Sequence, residues 1–176
     1  MSNVAQPCDV EPPSLNFASE RPRLAVTVVS SNEQLLVPCL ETLLKYRPAG
    51  CDFKIHATWN GPGRGLARLS PELRARFPDV SMTESFTSGF TPNQNRMLSE
   101  ITADYYLVIN DDLLFLPGSI DRPLAYLQRP DMTKVGFLSI RLLNADGSLQ
   151  PSTYSFAGIF RTVLSISGLR SLIPLS

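Results

Sequence analysis

The chain has 176 residues, of which 43% are hydrophobic and 18% are charged, a composition typical of a globular domain with a real core. The 16 Lys and Arg residues balance the 16 Asp and Glu residues, so the charge does not indicate a nucleic-acid partner. Three widely spaced cysteines without a CxxC pair, and a single histidine, argue against a zinc site or a disulfide framework. They favour reduced thiols in a cytoplasmic setting.

The first part of the chain predicts a tail, a strand and a helix. Residues 1–20 are polar, contain three prolines and are predicted to form a flexible N-terminal tail without a secretory signal. The first strand is predicted over 24–29, and small polar residues that suit a ligand-facing loop or a helix cap follow it: Ser30, Ser31 and Asn32. Leucines at helical spacing then predict an amphipathic helix whose regular part begins near Pro38.

Two further strands are predicted in the next stretch. Phe53–Trp59 predicts the second strand, and His56 within it is expected to be a packed or surface residue rather than a metal ligand. The glycine-rich loop over 60–65 matches neither a dinucleotide-binding fingerprint nor a phosphate-binding P-loop. Ser70 and Pro71 predict a capped short helix, and Val80–Glu84 predicts the third strand.

A second helix with a polar start follows the third strand. Thr91 and Pro92 predict its cap and its first helical residue, and the helix is expected to end near Ala103. Its first turns carry Asn93, Asn95 and Arg96. Free backbone N–H groups at a helix start favour an anion. A solvated helix start without a ligand remains the alternative.

The stretch from Tyr105 to Asp112 is the most informative part of the sequence. Five apolar residues over 105–109 predict a strand buried on both faces, as in a parallel sheet. The strand ends in Asn110, Asp111 and Asp112, and open α/β sheets bind ligands at such carboxyl ends. Paired carboxylates there suit a divalent cation that shares its oxygen ligands with substrate phosphates. The alternative is that both carboxylates cap the next turn and stay solvated.

The rest of the chain completes an α/β pattern. A helix is predicted from Pro117–Ser119 to Arg129, a strand over Val135–Ile140, and a tight turn at Asn144–Gly147. This alternation predicts an α/β sandwich with a mostly parallel sheet. Residues 157–176 are apolar but interrupted by two glycines and a proline, which predicts a docked or interfacial helix rather than a membrane span.

In their order, several of these segments resemble family 2 glycosyltransferases of the GT-A fold, and most closely the bacterial rhamnosyltransferase-like members. The resemblance covers about residues 24–156 and rests on the first strand with its loop at 26–32, Asn60–Gly61, Gly89–Phe90 with Asn93 and Asn95, Asn110–Asp112 with Leu116–Gly118, and 141–152. It implies a Rossmann-like α/β/α nucleotide-sugar-binding domain over 21–156, followed by the apolar segment 157–176. The Asn110–Asp112 segment stands where the family has its D-x-D motif.

The resemblance also implies site roles. Ser30 and Asn32 would line the base and ribose pocket, and Asn60 would hydrogen-bond the base. The remaining nucleotide-binding candidates are Gly89, Asn93, Asn95, Asn110 and Asp111. Asp112 would hold a divalent metal, Mn²⁺ or Mg²⁺. The implied reaction is glycosyl transfer from a nucleoside diphosphate sugar to a hydroxyl of a glycan or lipid-linked acceptor, in cell-surface polysaccharide biosynthesis.

Two departures from the family pattern qualify this expectation. Trp59 stands where the family usually has an acidic residue, and it would either stack on a base or pack in the core. The sequence also ends before the family's acceptor-binding and catalytic-base region, so no catalytic base is assigned. A catalytically silent nucleotide-binding or interaction module is therefore the alternative. The expected location is the cytoplasm. Residues 157–176 would contact the cytoplasmic face of a membrane or a partner chain.

Overall fold

A computed structural model describes residues 21–60, 69–85 and 89–152. The predicted tail over 1–20, the glycine-rich part of the loop over 61–65 and the apolar segment 157–176 lie outside the described residues. The helices are α1 (Glu33–Lys45), α2 (Pro71–Arg76), α3 (Phe90–Glu100) and α4 (Asp121–Leu127). The strands are β1 (Arg23–Ser30), β2 (Asp52–Trp59), β3 (Val80–Glu84), β4 (Tyr105–Asn110), β5 (Leu142–Leu143) and β6 (Leu149–Gln150).

The first four strands form one parallel sheet in the order β3-β2-β1-β4. Strand β1 lies between β2 and β4, and all of its residues from Leu24 to Ser30 are buried. The chain crosses from one strand to the next through a helix, as parallel pairing requires. The predicted α/β class and the mostly parallel sheet are therefore confirmed.

The two faces of the sheet are covered differently. On one face, alternate residues of β1 such as Val26 and Val28 join an apolar core with α1, α2 and α4, to which α1 contributes Leu36, Leu40 and Leu43. On the other face, α3 lies against β1, and its Gln94 side chain donates a hydrogen bond to the Thr27 carbonyl (3.3 Å). The sheet thus lies between helical layers, and its carboxyl edge carries the loops that follow β1, β2 and β4.

Three predicted helix starts need correction. Helix α1 begins at Glu33 rather than near Pro38, because the Asn32 side chain accepts a hydrogen bond from the Gln34 N–H and so caps the helix earlier. Helix α3 begins at Phe90, so Thr91 is not its cap, and it ends at Glu100 rather than near Ala103. Helix α4 begins at Asp121, after a turn that contains the predicted start at Pro117–Ser119. The predicted Ser70 cap of α2 is confirmed, because its hydroxyl accepts a hydrogen bond from the Leu73 N–H.

The prediction that β4 is buried on both faces is wrong. Tyr106 and Val108 are 40% and 45% exposed, whereas Ile109 is 4% exposed. Among the described residues, β4 pairs with β1 alone and is therefore an edge strand. Among the described residues, Tyr106 and Val108 on the outward face of β4 are exposed, so an apolar run alone does not indicate burial on both faces.

The described part of the chain divides after Leu138 into two compact units. The second unit begins at Ser139 and contains the β5–β6 hairpin, in which the predicted turn at Asn144–Gly147 is confirmed by the hydrogen bond from the Asn144 N–H to the Ser148 carbonyl (2.8 Å). The predicted strand over Val135–Ile140 is wrong, since these residues form neither strand nor helix. Within the described ranges, none of the helices has the length and hydropathy to cross a lipid bilayer.

Candidate functional site

The carboxyl edge of the parallel sheet gathers several of the predicted site residues. In the register of the sheet, Ser30 at the end of β1 lies beside Trp59 at the end of β2, and Val29 lies beside Asn110 at the end of β4. The Asn60 N–H donates a hydrogen bond to the Ser30 carbonyl (2.7 Å), which continues the pairing past the strand end. Ser30, Asn60 and Asn110 therefore share one edge, as a parallel sheet dictates.

The shortest side-chain contact at this edge joins β1 to the loop after β4. The Ser30 hydroxyl donates a hydrogen bond to Oδ2 of Asp111 at 2.6 Å. Ser30 is 3% exposed and Asp111 is half-buried, so the bond is largely shielded from water. Because its acceptor is a carboxylate, this bond belongs to the stronger class of hydrogen bonds.

Asn32 is the second predicted residue of the loop after β1. Its side-chain Oδ1 accepts a hydrogen bond from the Gln34 N–H (2.9 Å), so it caps α1. Its backbone N–H donates a hydrogen bond to the Ser30 hydroxyl oxygen (3.1 Å). Asn32 is exposed, and its side-chain oxygen has a structural role as the cap of α1.

The loop that carries the carboxylates is also anchored on helix α1. The Cys39 thiol donates a long hydrogen bond to the Asn110 carbonyl (3.8 Å), and the Thr42 hydroxyl accepts one from the Phe115 N–H (3.1 Å). The Phe115 side chain is buried in the core, which fixes the far end of the loop. The sequence pattern does not identify Cys39 and Thr42 as anchors of this loop. Their helical spacing shows that they share a face with the core leucines, but not that this face meets the loop.

The chemistry of Cys39 fits an anchoring role. Burial raises the pKa of the thiol to about 12, and the nearby carboxylates of Asp111 and Asp112 favour the protonated form as well. The thiol is therefore protonated at neutral pH, where it acts as a hydrogen-bond donor rather than as a nucleophile.

Asp112 is exposed in the same loop. It directly follows Asp111, whose carboxylate accepts the hydrogen bond from Ser30. The described residues contain no group of three or more His, Cys, Asp or Glu side chains that could hold a metal ion alone. Mg²⁺-type sites in nucleotide-binding proteins often use one or two carboxylates together with substrate phosphates. The oxygen donors at Asp112 therefore suit a divalent cation that binds together with a nucleotide.

Helix α3 separates the predicted asparagines. Asn93 is 1% exposed, and its side-chain amide donates a hydrogen bond to the Gly89 carbonyl (2.7 Å), whereas Asn95 is exposed. Residues two apart on a helix point to different sides, which explains the difference. Gly89 precedes the helix with φ of 105°, a backbone conformation that favours glycine.

Arg96, a third polar residue of this helix, is directed to the sheet. Its guanidinium Nη2 lies 3.3 Å from the hydroxyl oxygens of both Thr58 and Thr83. The Arg96 side chain is thus engaged by contacts inside the protein. Trp59 is 7% exposed and belongs to the apolar core, so the core role that was one of its two predicted alternatives is the one observed.

These features define a class of protein: a Rossmann-like α/β fold with oxygen-bearing side chains on the loops at the carboxyl edge of a parallel sheet. The sequence matches no protein-family model. No curated protein matches it either.

Among solved structures, the fold is similar to that of the mannosyltransferase PcManGT from Pyrobaculum calidifontis, determined in complex with GDP-Man and Mn²⁺. The TM-score is 0.50 and the sequence identity is 20%, and the likeness covers 72% of this chain. It covers only 37% of the mannosyltransferase chain, so this chain spans well under half of that protein. At this identity the likeness shows the fold alone, a Rossmann-like α/β fold with a mostly parallel sheet.

Proposed function

We propose that this chain is the donor-binding part of a glycosyltransferase, which binds a nucleoside diphosphate sugar at the carboxyl edge of its sheet. The observation that carries the proposal is the loop after β4: it presents the exposed Asp112 beside Asp111, whose carboxylate Ser30 holds in place. The likeness to a structure that holds GDP-Man and Mn²⁺ supports a nucleotide sugar as the ligand.

In the proposed site, exposed and half-buried polar groups around the edge bind the nucleotide. They are Asn32, Asn60, Gly89, Asn95 and Asn110, with Asn93 supporting the start of α3 from below. Asp112 would hold Mn²⁺ or Mg²⁺ together with the diphosphate. When bound, such an ion stabilises the negative charge that develops on the leaving diphosphate.

The acceptor side of the reaction is proposed from sequence resemblance. A hydroxyl of a glycan or of a lipid-linked sugar is the proposed acceptor, and the rhamnosyltransferase-like subgroup suggests a hexosyl or deoxyhexosyl donor. An inverting transfer needs a base that deprotonates this hydroxyl, and we assign no residue of this chain to that role.

A thermal-shift titration tests donor binding. The chain is titrated with UDP, dTDP, GDP and CDP, each with and without MnCl₂. Because a ligand that binds only the folded state stabilises it by mass action, the preferred diphosphate at about 100 times its Kd should add about 2.7 kcal/mol and raise the Tm by about 5–10 °C. The shift should require Mn²⁺ and should identify the base.

Asp112→Ala is the variant that tests the site. We predict that it folds normally, because Asp112 is exposed, and that it loses the Mn²⁺-dependent shift. Asp79→Ala is the matched control: this exposed carboxylate precedes β3 at the opposite edge of the sheet, and its removal should leave the shift intact. An undiminished shift in Asp112→Ala would exclude Asp112 from the site, and the absence of any shift in the wild type would contradict donor binding itself. Diphosphate binding without transfer from the matching nucleotide sugar would instead favour the silent nucleotide-binding module.

A further inference from the structure

Ser30 connects the two loops that form the proposed donor site. Its hydroxyl oxygen lies 2.6 Å from Oδ2 of Asp111, 3.1 Å from the backbone nitrogen of Asn32 and 3.2 Å from the Asn32 carbonyl oxygen. Asp111 belongs to the loop after β4, and Asn32 belongs to the loop after β1. Ser30 and Asp111 are 81 residues apart in the sequence.

The hydroxyl proton can serve only one of the two oxygens, because a serine has a single O–H donor. Oδ2 of Asp111 is the nearer acceptor by 0.6 Å (3.2 against 2.6 Å), and as a carboxylate it is also the stronger one. The Asn32 N–H supplies the complementary bond to the hydroxyl oxygen. The result is a directed chain, from the Asn32 N–H through the Ser30 O–H to the Asp111 carboxylate, in which each bond polarises the next.

This contact differs from the other anchors of the loop. Cys39 holds the backbone carbonyl of Asn110, and Thr42 holds the backbone N–H of Phe115. Ser30 alone, among the described residues, forms a hydrogen bond with the side chain of Asp111, and it uses only one of the two carboxylate oxygens. A buried hydroxyl thus sets the orientation of the carboxylate, while Oδ1 accepts no hydrogen bond within the described ranges.

We propose that Ser30 is a positioning residue of the donor site: it fixes the Asp111 carboxylate through Oδ2, so that Oδ1 and the adjoining Asp112 are oriented before the nucleotide and its metal ion arrive. The inference rests on the proposed function and replaces the expected role of Ser30 as a lining residue of the base and ribose pocket. Its burial, at 3% exposure, is consistent with a residue that acts through Asp111 rather than by touching the ligand.

Ser30→Ala is the direct test, because it removes the hydroxyl from an otherwise unchanged strand end. Calorimetric titration measures the Kd of the diphosphate that most stabilises the wild type, and the Mn²⁺ concentration at half-saturation. Loss of a residue that orients a ligating group typically costs about 10- to 100-fold in affinity, and we expect a loss in that range for both quantities. Ser30→Thr, which keeps the hydroxyl, should restore most of the affinity. Ser99→Ala, which removes an exposed hydroxyl from α3, is the control and should bind as the wild type does.

A double-mutant cycle with Asp111→Ala separates positioning from a general structural effect. Asp111→Ala removes the acceptor of the same hydrogen bond without any change in the buried strand, and it therefore tests the bond even if Ser30→Ala folds poorly. If Ser30 acts through the Asp111 carboxylate, Ser30→Ala should lower the affinity for the diphosphate much less in the Asp111→Ala background than in the wild type. Urea unfolding of the same variants reports stability separately, and a purely structural role would lower stability while leaving the affinity of the folded chain unchanged.

The outcomes are distinct. If the wild type binds a diphosphate and folded Ser30→Ala binds it within about twofold, the positioning role is overturned while the proposed function stands. If Ser30→Ala lowers the affinity for the diphosphate equally in the wild type and in the Asp111 variant, Ser30 does not act through Asp111. If the wild type binds none of the four diphosphates, the proposed function fails and the inference fails with it.

Discussion

At the scale of single residues, the carboxyl edge separates side chains that hold the backbone from side chains that are left for a ligand. Ser30, Cys39 and Thr42 each bond to the loop after β4 from the protein interior. Asp112 and Asn95 are exposed. Asp112 lies in the loop that these bonds hold in place, and Asn95 lies in helix α3. Fixed groups of this kind lower the cost of ordering a site when its ligand binds.

His56 provides a residue-scale prediction about pH. Burial lowers its pKa below the ordinary value of 6.5, and the nearby Lys54 lowers it further. The unfolded chain therefore binds a proton at a higher pH than the folded chain does. The contribution of His56 to stability is complete above pH 6.5 and is lost as the pH falls from 6.5 towards the lower pKa of the folded state.

Urea unfolding of the wild type and of His56→Gln measures this effect. Between about pH 7.5 and about pH 5.5, the free energy of unfolding should fall more in the wild type than in the variant, since a glutamine does not titrate. Parallel declines in the two proteins would show that another group is responsible and that His56 titrates alike in both states.

At the scale of elements, β4 shows how one strand can combine a buried and an exposed face. Ile109 faces the core, whereas Tyr106 and Val108 face outward at the end of the sheet. We predict that Ile109→Ala lowers the free energy of unfolding by about 2–5 kcal/mol, because it leaves a cavity in the core. Val108→Ala, one position away, should cost only about 0.5 kcal/mol, as exposed substitutions usually do. Urea unfolding of the two variants measures the contrast, and equal losses would show that the outward face of β4 is covered in solution.

The error about β4 also shows what the sequence could and could not predict. The four strands of the parallel sheet and the presence of the helices, though not all helix starts, follow from apolar periodicity and from caps such as Ser70, because these are local properties. Whether a strand is central or at an edge depends on partners far away in the chain, and the run Tyr105–Ile109 is equally apolar in both cases. The Ser30–Asp111 bond could not be predicted for the same reason, since it joins residues that only the order of the strands brings together.

At the scale of the whole molecule, the proposed donor site belongs to one part of the chain. Its candidates run from Ser30 to Asp112, and all of them precede Leu138, after which the second compact unit begins. The likeness to the mannosyltransferase covers 37% of that protein's chain, and our proposal assigns donor binding alone to this chain. Donor binding and transfer are therefore expected to be separable properties.

This separation predicts the behaviour of a shortened chain. A fragment that ends at Leu138 retains the four-stranded sheet, the loop that carries Asp111 and Asp112, and every group that we place in the donor site. It should therefore unfold cooperatively in urea and should show the same Mn²⁺-dependent stabilisation by the preferred diphosphate as the full chain, because mass action depends only on binding to the folded state. Asp112→Ala within the fragment is the control and should abolish the shift. A fragment that folds but binds no diphosphate would show that residues 139–176 contribute to the donor site, and a fragment that does not fold would show that they are needed for the sheet itself.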